Sequence, residues 1–180
     1  MKYKLALFDL DGTLFDTKDV NYRAYREALG NVEFDYEFYC KNCNGRNYKY
    51  FLPQIVPGIT AEEMEEVHEK KKEAYPKYLK YARKNEELFD CFEEKNALVT
   101  TASLKNTMEI LCQFNVEKLF DFIISQEDVS KMKPDPECFL IAMEKAGVKP
   151  NETIIYEDSD VGIEAAIRSG ANVVKVEGYN

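Results

Sequence analysis

Asp9 and Asp11 stand one residue apart, directly after the apolar run Lys4 to Phe8 and directly before Gly12 and Thr13. Alternate residues of an extended segment point the same way, so both carboxylates can face one reacting centre. Asp9 can then attack phosphorus as a nucleophile. Asp11 can protonate the leaving oxygen and later activate water. Gly12 lets the chain turn sharply just past the run. Further polar groups follow at intervals: Thr100 with Thr101, Lys131 with Lys133, and Glu157 with Asp158. Three carboxylates converging on one place would repel and desolvate each other, and a hard divalent cation relieves that. Mg2+ takes a few carboxylates together with phosphate oxygens and water, and Asp9 and Asp158 are the natural ligands. Lys133 adds a second positive charge. A threonine hydroxyl and the backbone amides around Gly12 and Thr13 complete a phosphate cradle.

Taken singly, these pieces have plain structural readings. Asp-x-Asp-Gly is often a turn, Glu-Asp at a strand end is often a helix cap, and Lys-Pro alone carries nothing. Their order joins them, because each follows a separate predicted strand, Lys131 and Lys133 from the loop after the third. Lys4–Phe8 reads as a buried strand, and so do Ala97–Val99, Phe122–Ile124, Thr153–Tyr156 and Asn172–Val176. Helical patterns alternate with them. Leu104–Phe114 carries Met108, Leu111 and Cys112 on one face, with Ser103 as N-cap. Pro136–Ala146 ends at Gly147, and Asp160–Ser169 ends at Gly170. Such alternation predicts an α/β fold, a Rossmann-like parallel sheet of five strands with helices on both faces. In open parallel sheets the active site lies beyond the carboxyl ends of the strands.

Residues 17–85 break this rhythm and show no convincing strand. Asp19–Leu29 reads as a helix ending at Gly30, and Thr60-Ala61-Glu62-Glu63 reads as a capping box opening a long helix that Pro76 divides. The predicted organisation is a catalytic core of residues 1–16 and 86–180, interrupted by an all-helical cap of residues 17–85.

Composition narrows the classes. A net charge of -9 opposes binding to a nucleic-acid backbone. No run of about 18 apolar residues predicts a membrane span, and the N-terminus lacks a signal-peptide pattern. The expected setting is cytoplasmic, and the expected state is a monomer acting on a small phosphorylated substrate. Among the five cysteines only Cys40 and Cys43 are close together. Zinc would want two further ligands, so reduced, mostly packed thiols are expected.

The stretch Asp9-Leu10-Asp11-Gly12-Thr13-Leu14-Phe15-Asp16 resembles the first signature of the haloacid dehalogenase superfamily. Leu98-Val99-Thr100-Thr101-Ala102-Ser103 resembles its second, Lys133-Pro134-Asp135-Pro136 its third, and Tyr156-Glu157-Asp158-Ser159-Asp160 with Val161 to Ala166 its fourth. The resemblance implies the following roles. Asp9 is the aspartyl-phosphate nucleophile and a metal ligand. Asp11 is the general acid/base and offers its carbonyl to Mg2+. Thr100 and the Thr101 amide hold the phosphoryl group, Lys133 stabilises it, Asp158 is a metal ligand, and Glu157 supports the metal. Dehalogenases of the family lack the second aspartate, so Asp11 favours phosphorus chemistry. The subgroup it looks most like contains phosphatases and β-phosphoglucomutases with a helical cap. There a cap loop with Gly and Arg meets substrate, a role that would fall to Asn44-Gly45-Arg46. The chain departs from the pattern at residues 85–88, Asn-Glu-Glu-Leu, where a Pro-Gly pair is common, and at Thr101, where Asn is commoner.

The reading that follows is a Mg2+-dependent phosphatase. The first alternative is a phosphomutase, in which a sugar hydroxyl accepts the phosphoryl group, and the second is a non-catalytic binding module that retains the fold.

Overall fold

A computed structural model describes residues 3–177 and Tyr179 of the 180-residue chain. The backbone divides into two compact units, Met1–Asp16 with Lys84–Asn180, and Thr17–Arg83.

The first unit is built on a five-stranded parallel sheet. We label its strands β1 (Leu5–Phe8), β2 (Lys95–Val99), β3 (Phe122–Ile124), β4 (Thr153–Glu157) and β5 (Asn172–Lys175). Their order across the sheet is β3-β2-β1-β4-β5. The first strand in sequence therefore lies at the centre, and every residue of β1 is buried. A strand covered on both faces must be apolar throughout, which is why Leu-Ala-Leu-Phe carries no alternation.

Parallel pairing fixes which residues share a level. Phe8 is aligned with Leu98 of β2 and with Tyr156 of β4. The next residues, Asp9, Val99 and Glu157, therefore arrive together at the carboxyl edge. Leu5, Leu7, Ala97, Val99 and Ile155 face a core completed by helices α6 (Glu137–Ala146) and α7 (Asp160–Ser169), through Phe139, Ala142, Met143, Ala165 and Ala166. The opposite face is aromatic. Phe8 stacks on Tyr156 with ring centroids 4.9 Å apart and also meets Phe92 and Phe120. Phe92 continues to Phe89, Phe89 to Phe15, and Phe15 to Phe114 at the end of helix α5 (Leu104–Phe114).

Helix α5 begins at Ser103, whose hydroxyl accepts from the Asn106 amide. Its buried face differs from the one predicted. Asn106, Thr107, Ile110 and Leu111 are buried, whereas Met108 and Cys112 are exposed. The apolar types alone misplace the stripe, because this helix buries polar residues on its inner face.

The Thr17–Arg83 unit contains helices α1 (Lys18–Leu29), α2 (Tyr36–Asn42), α3 (Tyr48–Ile55) and α4 (Ala61–Ala74). Helix α4 opens on the complete Thr60–Glu63 capping box. It stops ahead of Pro76 and continues as a 3-10 turn over Tyr75–Tyr81. Helices α2 and α3 escaped the sequence reading. The first is aromatic-rich and the second contains Pro53, but Asp35 and Asn47 cap their amino ends. A two-residue strand at Arg83–Lys84 corrects the expectation of a strand-free segment. Tyr25, Phe34, Tyr39, Cys43, Phe51 and Leu52 form the core of this unit. All five cysteines are free, and Cys40 joins Cys112 on the surface, so fewer thiols are packed than expected.

His68 lies flat on Tyr48 with ring centroids 4.0 Å apart and is hydrogen-bonded through Nδ1 to the Tyr25 hydroxyl at 3.2 Å. Burial, then the charges of Lys71 and Lys72, push its pKa down to about 4. An unfolded histidine titrates near 6.5, so acid favours the unfolded chain. The stabilising contribution is complete above about pH 6.5 and is lost as pH falls toward 4. Unfolding free energy from denaturant titration is expected to drop by about 2 kcal/mol between pH 7 and 5 through this group. His68→Gln should remove that slope, and an unchanged slope in the variant would show that other groups carry it.

Candidate active site

The carboxyl edge of the sheet gathers the sequence-predicted core residues. The Asp9 amide donates to the Tyr156 carbonyl at 3.0 Å, which continues the β1–β4 ladder by one residue and buries the side chain. Asp9 and Glu157 occupy one level of adjacent strands and project toward the same face. Between them sits the ammonium of Lys133. Its Nζ lies 2.7 Å from Asp9 Oδ1, 2.6 Å from Glu157 Oε1 and 3.2 Å from the Val99 carbonyl. One cation thus joins the ends of β1, β2 and β4. Its side chain is only 3% exposed, over the Phe139 ring.

Gly12 turns the chain after Asp11 with φ of 91°, and its amide donates to the Phe15 carbonyl at 2.7 Å. A second constraint acts there, since a Cβ on Gly12 would stand 2.2 Å from Asp158 Oδ2. Glycine is required for the turn and for the approach of this carboxylate. Asp158 is held from the other side by the Thr13 hydroxyl, which donates to Oδ1 at 3.0 Å. Asp11 is half-buried on the same turn, and its charge is felt at Asp158.

Thr100 extends β2 by donating its amide to the Ile124 carbonyl at 2.9 Å. Its buried hydroxyl accepts from the Ala102 amide at 3.0 Å, so its own hydrogen is directed elsewhere. Thr101 is exposed beside it. Arg46 belongs to the Thr17–Arg83 unit, exposed in the turn after α2, where its amide donates to the Cys43 carbonyl.

The electrostatics follow from burial. Desolvation pushes Asp9 well above the ordinary carboxylate range, helped by Glu157 and Asp158 and opposed by Lys133. Burial and then Glu157 push Asp158 up to about 6. Burial would lower the pKa of Lys133, but the charges of Asp9 and Glu157 outweigh it, so the ammonium stays protonated. Among the described residues Asp9, Glu157 and Asp158 form a group whose ligand atoms all lie within 4.8 Å of one another. Three carboxylates against one ammonium leave two negative charges uncompensated. An all-oxygen donor set of that charge fits a hard divalent cation.

A family model described as haloacid dehalogenase-like hydrolase matches residues 6–176. The chain belongs to the haloacid dehalogenase-like hydrolases. Among the curated hydrolases it resembles, a phosphorylated carbohydrates phosphatase of Thermotoga maritima is 30% identical over 174 residues, covering 92% of this chain and 81% of the relative. The fructose-1-phosphate phosphatase YqaB of Escherichia coli is 26% identical, covering 97% of each chain. The crystal structure of CbbY from Rhodobacter sphaeroides in complex with phosphate superposes with a TM-score of 0.83 at 24% identity, covering 98% of this chain and 87% of that one. That last likeness is one of fold. With its family and its named relatives, this hydrolase is of the phosphatase type, acting on phosphoric monoesters.

Sequence reasoning missed the Val99 carbonyl and the residues that seat Glu157. Ser159 donates to Glu157 Oε2 from its amide at 2.9 Å and its hydroxyl at 3.0 Å, while accepting from the Gly162 amide as the N-cap of α7. A serine before a helix announces a cap but gives no sign of a carboxylate behind it.

Removing one partner of a buried ion pair leaves an uncompensated charge. Lys133→Met is therefore expected to lower stability by about 3 kcal/mol at pH 7.5. The deficit should shrink as pH is lowered to 5, because burial already holds Asp9 above the ordinary carboxylate range and, without the ammonium, it takes up a proton more readily. Denaturant unfolding at the two pH values checks this, and a deficit independent of pH would contradict the ion-pair account.

Proposed function

We propose that this hydrolase is a Mg2+-dependent phosphatase for small phosphorylated metabolites, sugar phosphates foremost, working through an aspartyl phosphate on Asp9. The observation that carries the reading is the Asp9 carboxylate held at 2.7 Å by a buried lysine, with Asp158 and Glu157 within ligand reach. Two named relatives act, by their names, on phosphorylated carbohydrates and on fructose 1-phosphate. Both names are phosphatases, which favours water over a sugar hydroxyl as the final acceptor.

In this reading Asp9, Asp158 and the Asp11 carbonyl would hold Mg2+, and Glu157 would support the site from behind through Lys133. When bound, the ion neutralises the carboxylates and polarises the phosphoryl group. Lys133 anchors Asp9 through Oδ1, which leaves Oδ2 to form the bond to phosphorus as the ester P–O bond breaks. Asp11 gives its proton to the departing alkoxide. It then takes a proton from water as the water oxygen bonds to phosphorus and the Asp9–phosphorus bond breaks. The Thr100 hydroxyl, the Thr101 amide and the Gly12–Thr13 backbone hold the phosphoryl oxygens. The Thr17–Arg83 unit is read as the cap that selects substrate, with Arg46 meeting it.

Asp9→Asn is expected to abolish phosphate release from every ester in a sugar-phosphate panel, with the unfolding transition retained. EDTA should do the same reversibly. Turnover by Asp9→Asn would reject the covalent mechanism. Rapid loss of phosphate from labelled Asp9 without added sugar is expected, and loss only with a second sugar would make the enzyme a phosphomutase. Arg46→Ala should raise KM by about tenfold with kcat within about twofold, and wild-type KM across the panel would remove Arg46 from the substrate site.

A further inference from the structure

The Glu157 carboxylate is 1% exposed, and both of its oxygens are taken: Oε1 by Lys133 and Oε2 by Ser159. Its remaining side is closed by the first turn of α7. A Cβ built on Gly162 would stand 1.8 Å from Glu157 Oε1, 2.0 Å from its carboxyl carbon and 2.5 Å from Oε2. Those distances lie far inside contact, so an added methyl and the carboxylate cannot coexist where they are. Gly162 is an interior residue of α7 and has no positive φ. Its backbone therefore makes no demand for glycine, and alanine is the better helix former there. The demand comes from the carboxylate.

We propose that Gly162 is a positioning residue for the phosphatase reaction. Its bare Cα and the Ser159 cap form a seat that fixes Glu157, and Glu157 in turn holds the Lys133 ammonium on Asp9. The proposal rests on the phosphatase reading above. Gly12 serves Asp158 in a similar way, but its φ of 91° strains any replacement, so it offers no clean test. At Gly162 the two demands separate. Glu157 is pinned by a buried ammonium and two serine donors, so displacing it breaks the chain of contacts that leads to the nucleophile.

The experiment is a double-mutant cycle of Gly162→Ala in the wild-type chain and in Glu157→Ala, read by thermal unfolding and by phosphate release. Gly162→Ala should lower Tm by more than about 3 °C with Glu157 present and raise it when the carboxylate is absent. With Glu157 present it should also lower kcat by on the order of tenfold or more, with KM within about twofold. Unfolding of Gly162→Ala alone, with folding restored by Glu157→Ala, supports the seat in the same sense. An equal Tm change in both backgrounds overturns it, as does failure to fold in both. Wild-type kcat in Gly162→Ala overturns the positioning role whatever Tm does. If the wild-type enzyme releases no phosphate with Mg2+, the functional reading falls, and the Tm cycle alone decides whether the seat exists.

Discussion

The Lys133 ammonium is the contact on which the site depends. A buried lysine is tolerated only where its charge is compensated and its hydrogens are used. Here three acceptors from three adjacent strands do both. That arrangement needs Asp9, Val99 and Glu157 on one level, which the parallel register supplies. It also needs the loop before α6 to deliver a long side chain to that level from outside the sheet. Lys133 in turn is what lets two acids stay buried side by side.

The fourth strand contributes two adjacent acids with different surroundings. Glu157, still in the strand, points toward α6 and α7 and is enclosed. Asp158, one residue on, turns toward the Gly12–Thr13 bend and keeps some solvent. Successive residues of a strand face opposite ways, so adjacency in sequence becomes separation in role. One acid organises the lysine and the other meets the turn that follows Asp9.

Much of this was legible in the sequence. β1, β2 and β4 appear as short apolar runs because central strands of a parallel sheet need no polar face, whereas β5, expected to be buried, is an edge strand and largely exposed. Asp9, Thr100 and Asp158 stood out because polar residues closing such runs have nowhere to go but the strand ends, and Lys133 stood out through its Lys-Pro-Asp-Pro setting in the loop after the third strand. The packing of one element against another was not legible. The sequence marks Ser159 as a cap and Gly162 as a weak helix former, and only the fold reveals that both touch Glu157. Helices α2 and α3 were missed because clustered tyrosines and Pro53 blur their periodicity. The inner face of α5 was misplaced because Asn106 and Thr107 are buried there, against the usual preference of their types.

The central place of β1 has a consequence for how the chain comes into being during synthesis. β1 is made first, yet its neighbours are Lys95–Val99 and Thr153–Glu157. As the polypeptide leaves the ribosome, Leu5 to Phe8 stay unpaired while the whole Thr17–Arg83 segment is translated, and one edge of β1 stays open until Thr153–Glu157 is made. Such non-local pairing slows folding and exposes an apolar, uncharged strand to other chains in the interval. Asp9 is thus made well before Lys133 and Glu157, the residues that complete its surroundings.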